Sequence, residues 1–150
     1  MTELDHGALI ADMRLALLSE LGARAAYRGL ARREKKEELA RLLEQLWQEE
    51  KEQVERLRAL MTKLGARPRK RSFRRLVAAH ILVVCARLFG SRFALRVCLD
   101  AEAAVSRWYA EYSHYFAQAG MLEEGLECDA LALTKRRHAQ ILQAWVDLLP

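Results

Sequence analysis

Apolar residues recur every three or four positions along most of the chain, and the series loses phase at only a few places. That period puts the members of a series on one helix face. No stretch alternates apolar and polar residues for long enough to make a strand. The pattern predicts one domain over residues 1–150 with helices at 4–33, 34–64, 72–89, 92–119 and 122–148. Gly65 and Pro68 supply stop signals for the second helix, and Gly120 ends the fourth. Ser72 is a candidate N-cap for the third, and Gly90-Ser91 breaks the chain before the fourth.

The core stripes can be read directly. The first helix gives Leu9, Met13, Ala16, Glu20, Ala23, Tyr27 and Leu30, and the second Leu39, Leu42, Leu46, Glu50, Gln53, Leu57, Leu60 and Leu64. The fourth gives Leu95, Cys98, Glu102, Val105, Tyr109, Tyr112 and Phe116, and the fifth Leu131, Lys135, His138, Leu142, Trp145 and Leu149. Each stripe is apolar except near its middle. Four antiparallel helices of similar length bring their midpoints to one layer. Glu20, Glu50, Gln53, Glu102, Lys135 and His138 should therefore meet in the core. Unpaired charge there is strongly unfavourable, so the layer calls for a metal site, its remnant or an internal ion-pair network. Taken singly, each residue has a plainer reading. A mid-helix Glu usually faces water, as Glu49 and Glu52 should here, and His138 suits a core histidine bonded to a carboxylate as well as a ligand. His80 and His114 read as structural or exposed.

Composition agrees with helices: the sequence has 2 Pro and 7 Gly and is rich in residues that lose little rotamer freedom in a helix. The first five residues, Met1-Thr2-Glu3-Leu4-Asp5, lack the pattern of a signal peptide. Cys85, Cys98 and Cys128 lack metal-type spacing and read as reduced apolar fillers. Both observations suit a cytoplasmic protein, with peripheral membrane contact as a further option. The net charge of +5 is local: Arg67, Arg69, Lys70, Arg71, Arg74 and Arg75 account for it. They lead into an apolar helix too short and too interrupted to span a bilayer. A cationic flank beside an apolar helix fits an anionic membrane surface or a partner, and a solvated crossover helix explains it equally well. No aromatic platform favours nucleic acid.

Several local runs carry a family likeness. Arg67-Pro68 follows the second helix. Leu88-Phe89-Gly90-Ser91-Arg92-Phe93-Ala94-Leu95 leads into Val97-Cys98-Leu99-Asp100-Ala101-Glu102, and Glu20 and Glu102 are each followed seven residues later by a tyrosine, Tyr27 and Tyr109. With Glu50 to Gln53 and Lys135 to His138, the chain resembles the ferritin-like di-iron proteins, in which two helices give one Glu each and two give Glu-x-x-His. It is most similar to the demethoxyubiquinone hydroxylase family, the quinone-ring hydroxylases of ubiquinone synthesis. Trp108-Tyr109 stands where those enzymes usually carry His-Tyr.

The resemblance implies an all-α, ferritin-like antiparallel four-helix bundle with an additional hydrophobic crossover helix. It implies Glu20, Glu50, Glu102 and His138 at metal-ligand positions, with Tyr27 and Tyr109 beside them. Gln53 stands where the family has His, and Lys135 where it has Glu. An amide is a weaker ligand than imidazole, and a protonated amine cannot ligate and repels a cation. The expectation is that Lys135 replaces metal charge by pairing with Glu20, Glu50 or Glu102, with a protonated His138 or Glu completing the balance. The rival is one Fe(II) or Mn(II) held by Glu50, Glu102 and His138. The expected cofactor is thus none, or iron if the residual set is competent. Functionally, this predicts a non-catalytic or altered family member that binds a quinone-like lipid, a membrane surface or a protein partner. The alternatives are an active di-iron or mononuclear oxidoreductase hydroxylating a quinone-like ring, and an iron-handling protein. Leu15, Leu18 and Trp47, expected to be exposed, are candidates for a homo-oligomer contact.

Overall fold

A computed structural model describes residues 6–150, which form five helices and no strand. They are α1 (His6–Arg33), α2 (Glu37–Lys63), α3 (Phe73–Phe89), α4 (Ser91–Gln118) and α5 (Leu122–Leu148). Leu4 and Asp5, which the periodicity placed in the first helix, lie outside the described residues. The predicted junction at 33/34 is displaced, because α2 starts only at Glu37. The Glu34 carboxylate accepts from the Lys36 backbone N–H at 3.1 Å, and Lys36 is extended. That local bond competes with helix and makes the turn.

The stops work as their chemistry predicts. Gly65 and Gly120 both have positive φ, 88° and 74°. After α2, Ala66 N–H donates to Met61 C=O and Gly65 N–H to Thr62 C=O. After α4, Met121 N–H donates to Phe116 C=O and Gly120 N–H to Ala117 C=O. Both are Schellman closures, which need a left-handed residue at the centre. Ser72 caps α3 by accepting from Arg75 N–H at 3.4 Å.

Short connections at 34–36 and 119–121 make α1–α2 and α4–α5 two helical hairpins, and α3 lies in the crossover between them. The core records the antiparallel order. One apolar cluster joins Leu9 to Leu21 of α1 with Val54 to Met61 of α2, Val105 to Phe116 of α4 and Cys128 to Ala132 of α5. The other joins the opposite halves, from Tyr27 and Leu30 through Leu39 to Leu46, Ala94 to Cys98, and Leu142 with Val146. Burial departs from the expected stripes in small ways. Ala23, Leu42, Leu64, Trp145 and Leu149 are only half-buried, and Leu43 is buried beside Leu42. Of the three expected surface apolars only Leu15 is exposed. Leu18 is half-buried, and so is Trp47, whose ring lies under Arg28 at 4.6 Å and Lys51 at 4.7 Å. These two cation–π contacts cover a ring that would otherwise face water.

The crossover helix rests on α1 and α4 through Ala79 and Val83, its only buried residues. Its approach to α1 depends on glycine. A Cβ at Gly29 would lie 2.7 Å from Val83 Cγ2, and one at Gly22 would lie 3.5 Å from Arg75 Cδ. No helix among the described residues is long and apolar enough to cross a membrane. Gly29→Ala would gain up to about 1 kcal/mol in helix propensity and lose about 1–3 kcal/mol to overpacking against stiff Val83. The expected result is faster amide exchange along α3 with α4 and α5 unchanged. Unchanged exchange in α3 would mean that its docking does not depend on this contact.

Candidate functional site

A polar layer lies between the two apolar clusters. Glu20 of α1, Glu50 and Gln53 of α2, Glu102 of α4, and Lys135 and His138 of α5 are each at most 3% exposed. They are the residues that interrupt the four stripes, so the helix registers predicted from the periodicity converge on one layer.

Lys135 is at its centre. Its Nζ lies 2.5 Å from Glu50 Oε1, 2.7 Å from Glu20 Oε2 and 3.1 Å from Glu102 Oε2. One ammonium thus contacts a carboxylate from each of the other three bundle helices. Burial pushes the Lys135 amine down, but Glu102, Glu20 and Glu50 outweigh it and hold its pKa well above the usual lysine value. Burial also pushes Glu102 up, but the Lys135 charge, aided by His138, holds it well below the usual carboxylate range. Glu50 goes the other way. Burial and then the charges of Glu102 and Glu20 raise it well above its usual value, against the pull of Lys135. Glu50 therefore binds a proton more readily than Glu102 does.

Two tyrosines brace the outer carboxylates. Tyr27 of α1 donates to Glu102 Oε1 at 2.6 Å, and Tyr109 of α4 donates to Glu20 Oε1 at 2.9 Å. Each helix thus supplies the phenol that anchors the other helix's carboxylate. Burial, with those carboxylates, pushes both phenols well above their usual pKa, so they remain donors. His138 is fully buried. Its Nδ1 lies 3.3 Å from Glu50 Oε1 and 3.6 Å from Glu102 Oε2, and its Nε2 3.4 Å from Glu49 Oε2. Neither ring nitrogen makes a hydrogen bond among the described residues, and Glu50 Oε2 and Gln53 Oε1 also lack one.

The periodicity assigned Glu49 to the solvated face. It is half-buried, paired with Arg137 and close to His138. The signal was present in the adjacency of Glu49-Glu50 and Arg137-His138, because neighbours of two facing core residues approach each other at the rim. Glu52, His80 and His114 are exposed, as expected. The three cysteines are free thiols; Cys98 and Cys128 are buried, and burial pushes both up to about 12. Protonated and enclosed, they are inert fillers. Arg67, Arg69, Lys70, Arg71, Arg74 and Arg75 lie in the α2–α3 connection and the first turn of α3, all exposed and away from the layer.

Two helical hairpins, a crossover helix, and one buried layer of carboxylates and imidazole at the bundle midpoint define an all-α, ferritin-like bundle. The family model of ubiquinone biosynthesis protein COQ7 matches residues 9–143, a span that includes all six polar positions, and the chain belongs to that family. The likeness to the quinone-ring hydroxylases read from the sequence is thereby borne out. No curated protein and no solved structure matches the chain.

Lys135→Met leaves three facing carboxyls without a cation, a loss of about 3–5 kcal/mol near neutral pH. Their folded pKa values then rise above the unfolded value of about 4.3. The native state binds more protons than the unfolded state, so the variant's stability falls as pH rises. Urea unfolding at pH 5 and pH 8 should show the variant recovering stability at the lower pH. Equal destabilisation at both would mean that Lys135 does not neutralise the carboxylates.

Proposed function

We propose that this chain is a non-catalytic member of its family, in which the Lys135 ammonium replaces metal charge and the bundle binds a quinone-like lipid at an anionic membrane surface. The observation that carries the reading is the placement of Lys135 Nζ within 2.5–3.1 Å of three carboxylates from three helices. A pair of iron ions does not fit this donor set. The amine occupies the point where the carboxylates converge, it cannot ligate while protonated, and it repels a cation beside it. Gln53 offers an amide where an imidazole would bind more strongly.

The outer side of α3 supports the membrane part of the reading. Phe73, Leu76, Ile81, Leu88 and Phe89 are each more than half exposed, and Phe93 and Val97 of α4 add to the exposed apolar area. Single exposed apolars are ordinary, but this many on one helix point to a binding face. The basic run at the start of α3 supplies attraction to anionic lipid.

One observation favours a second reading, a mononuclear metal protein. Glu50, Glu102 and His138 offer ligand atoms all within 4.8 Å of one another. The hydrogen-bond vacancies of His138 and of Glu50 Oε2 are those a single ion would fill. That reading requires the Lys135 amine to leave the centre.

Anaerobic loading with Fe(II) followed by elemental analysis separates the readings. The expected result is near-zero iron per chain, with the double substitution Gln53→His and Lys135→Glu binding two and gaining a visible absorption band in air. Two irons in the unaltered chain would refute the proposal and restore a di-iron oxidoreductase; one would favour the mononuclear reading. For docking, cosedimentation with anionic vesicles should weaken as salt rises. Failure to bind at any salt would remove the membrane from the model.

A further inference from the structure

At the N-terminal end of α3 lies a cavity of about 740 Å³. Five arginines line it, and they come from three separate segments: Arg14 from α1, Arg67 and Arg69 from the α2–α3 connection, and Arg74 and Arg75 from the first turn of α3. No Asp or Glu is among its lining residues. None of the five makes an ion pair among the described residues. The sequence shows only part of this, because Arg14 is far along the chain from the basic run.

Like charges drawn together by the fold repel one another, and a bound counter-charge removes that repulsion. Guanidinium groups match phosphate oxygens in pairs, with geometry that a point-like ammonium lacks. The stem of Arg75 lies over Gly22, which limits its freedom before any ligand arrives. Ser72, which also lines the cavity, caps α3, so the first amides of that helix add positive potential on the same side. Leu17 and Leu18 give the cavity an apolar part. A second cavity between α1 and α3 is lined by Leu76, Val77 and Val83 together with Arg28 and Arg32. The arrangement suits a phosphate group with hydrocarbon beside it.

We infer that this cavity binds a phosphate group carrying two or more negative charges, a phosphomonoester or a diphosphate. The inference rests on the surface-docking part of the proposed function only for the source of the ligand, and it is independent of what the core holds. The same chemistry is presented by a lipid headgroup or by a soluble phosphate, and the test distinguishes them.

Calorimetric titration with inorganic pyrophosphate measures the soluble arm. Cosedimentation with phosphatidylcholine vesicles containing phosphatidic acid or phosphatidylglycerol, matched for surface charge, measures the lipid arm. Arg14→Ala and Arg69→Ala probe the cavity, and Arg136→Ala, an exposed arginine on α5, controls for loss of one charge. Thermal melts check that each variant folds. The expected result is one pyrophosphate per chain, preference for phosphatidic acid, and about tenfold weaker binding in both cavity variants but not in the control. Pyrophosphate binding without vesicle binding assigns a soluble ligand, keeps the site and removes the docking reading. Preference for phosphatidic acid that is sensitive to Arg14, without pyrophosphate binding, assigns a lipid headgroup. If pyrophosphate does not bind, and both vesicles bind equally with the cavity variants behaving like Arg136→Ala, the site is overturned and only diffuse surface attraction remains. Binding of neither probe overturns both the site and the docking.

Discussion

The structure turns on a single buried ammonium held by carboxylates from three other helices. Removing charges from water is strongly unfavourable, and only close opposite charges with good hydrogen bonding offset it. The fold therefore has to deliver Glu20, Glu50 and Glu102 to within hydrogen-bonding reach of Lys135, which ties together the registers of all four bundle helices. A slip of α5 by one residue would carry Lys135 about 100° around its helix and out of the layer. A purely apolar core would tolerate such a slip more easily, because hydrophobic contact is non-directional. The layer sets register, and the apolar clusters on either side supply most of the attraction.

The tyrosines extend this constraint. The Tyr27–Glu102 and Tyr109–Glu20 bonds run in opposite directions between α1 and α4. They use the outer oxygens of the two carboxylates and leave the inner ones facing the amine. The centre is therefore held from the sides by neutral donors with raised pKa, which keep their protons across ordinary pH.

Much of this is legible in the sequence, because helices with a sustained period of three to four reveal both their faces and their midpoints. Glu20, Glu50, Gln53, Glu102, Lys135 and His138 stand out as polar interruptions of otherwise apolar series, and convergence follows once the helices are taken as antiparallel. The order of contact within the layer is not legible. Seven-residue spacing places Tyr27 on the same face as Glu20, yet its hydroxyl reaches Glu102, because a long side chain bonds across to the facing helix rather than along its own. The sequence points Glu49 and Trp47 toward solvent because periodicity reports direction from the helix axis and carries no information about what the neighbouring helix brings to the rim. Arg14 is not legible as a site residue for a related reason: a charge on the outer face of α1 gains meaning only when the crossover brings other arginines beside it.

The reciprocal bracing also reveals a correspondence between the two hairpins. Glu20 with Tyr27 on α1 corresponds to Glu102 with Tyr109 on α4, and positions 50 and 53 on α2 correspond to 135 and 138 on α5. The first helices of the two hairpins carry the same pair, and the second helices carry different ones, a carboxylate and an amide on α2 and an amine and an imidazole on α5. A symmetric dimer of the first hairpin would set two Glu50 carboxylates face to face, and a dimer of the second would set two Lys135 amines together. Pairing one copy of each hairpin places an ammonium among the carboxylates and lowers the excess of negative charge. Each hairpin thus carries into the core a charge that the other hairpin helps to offset.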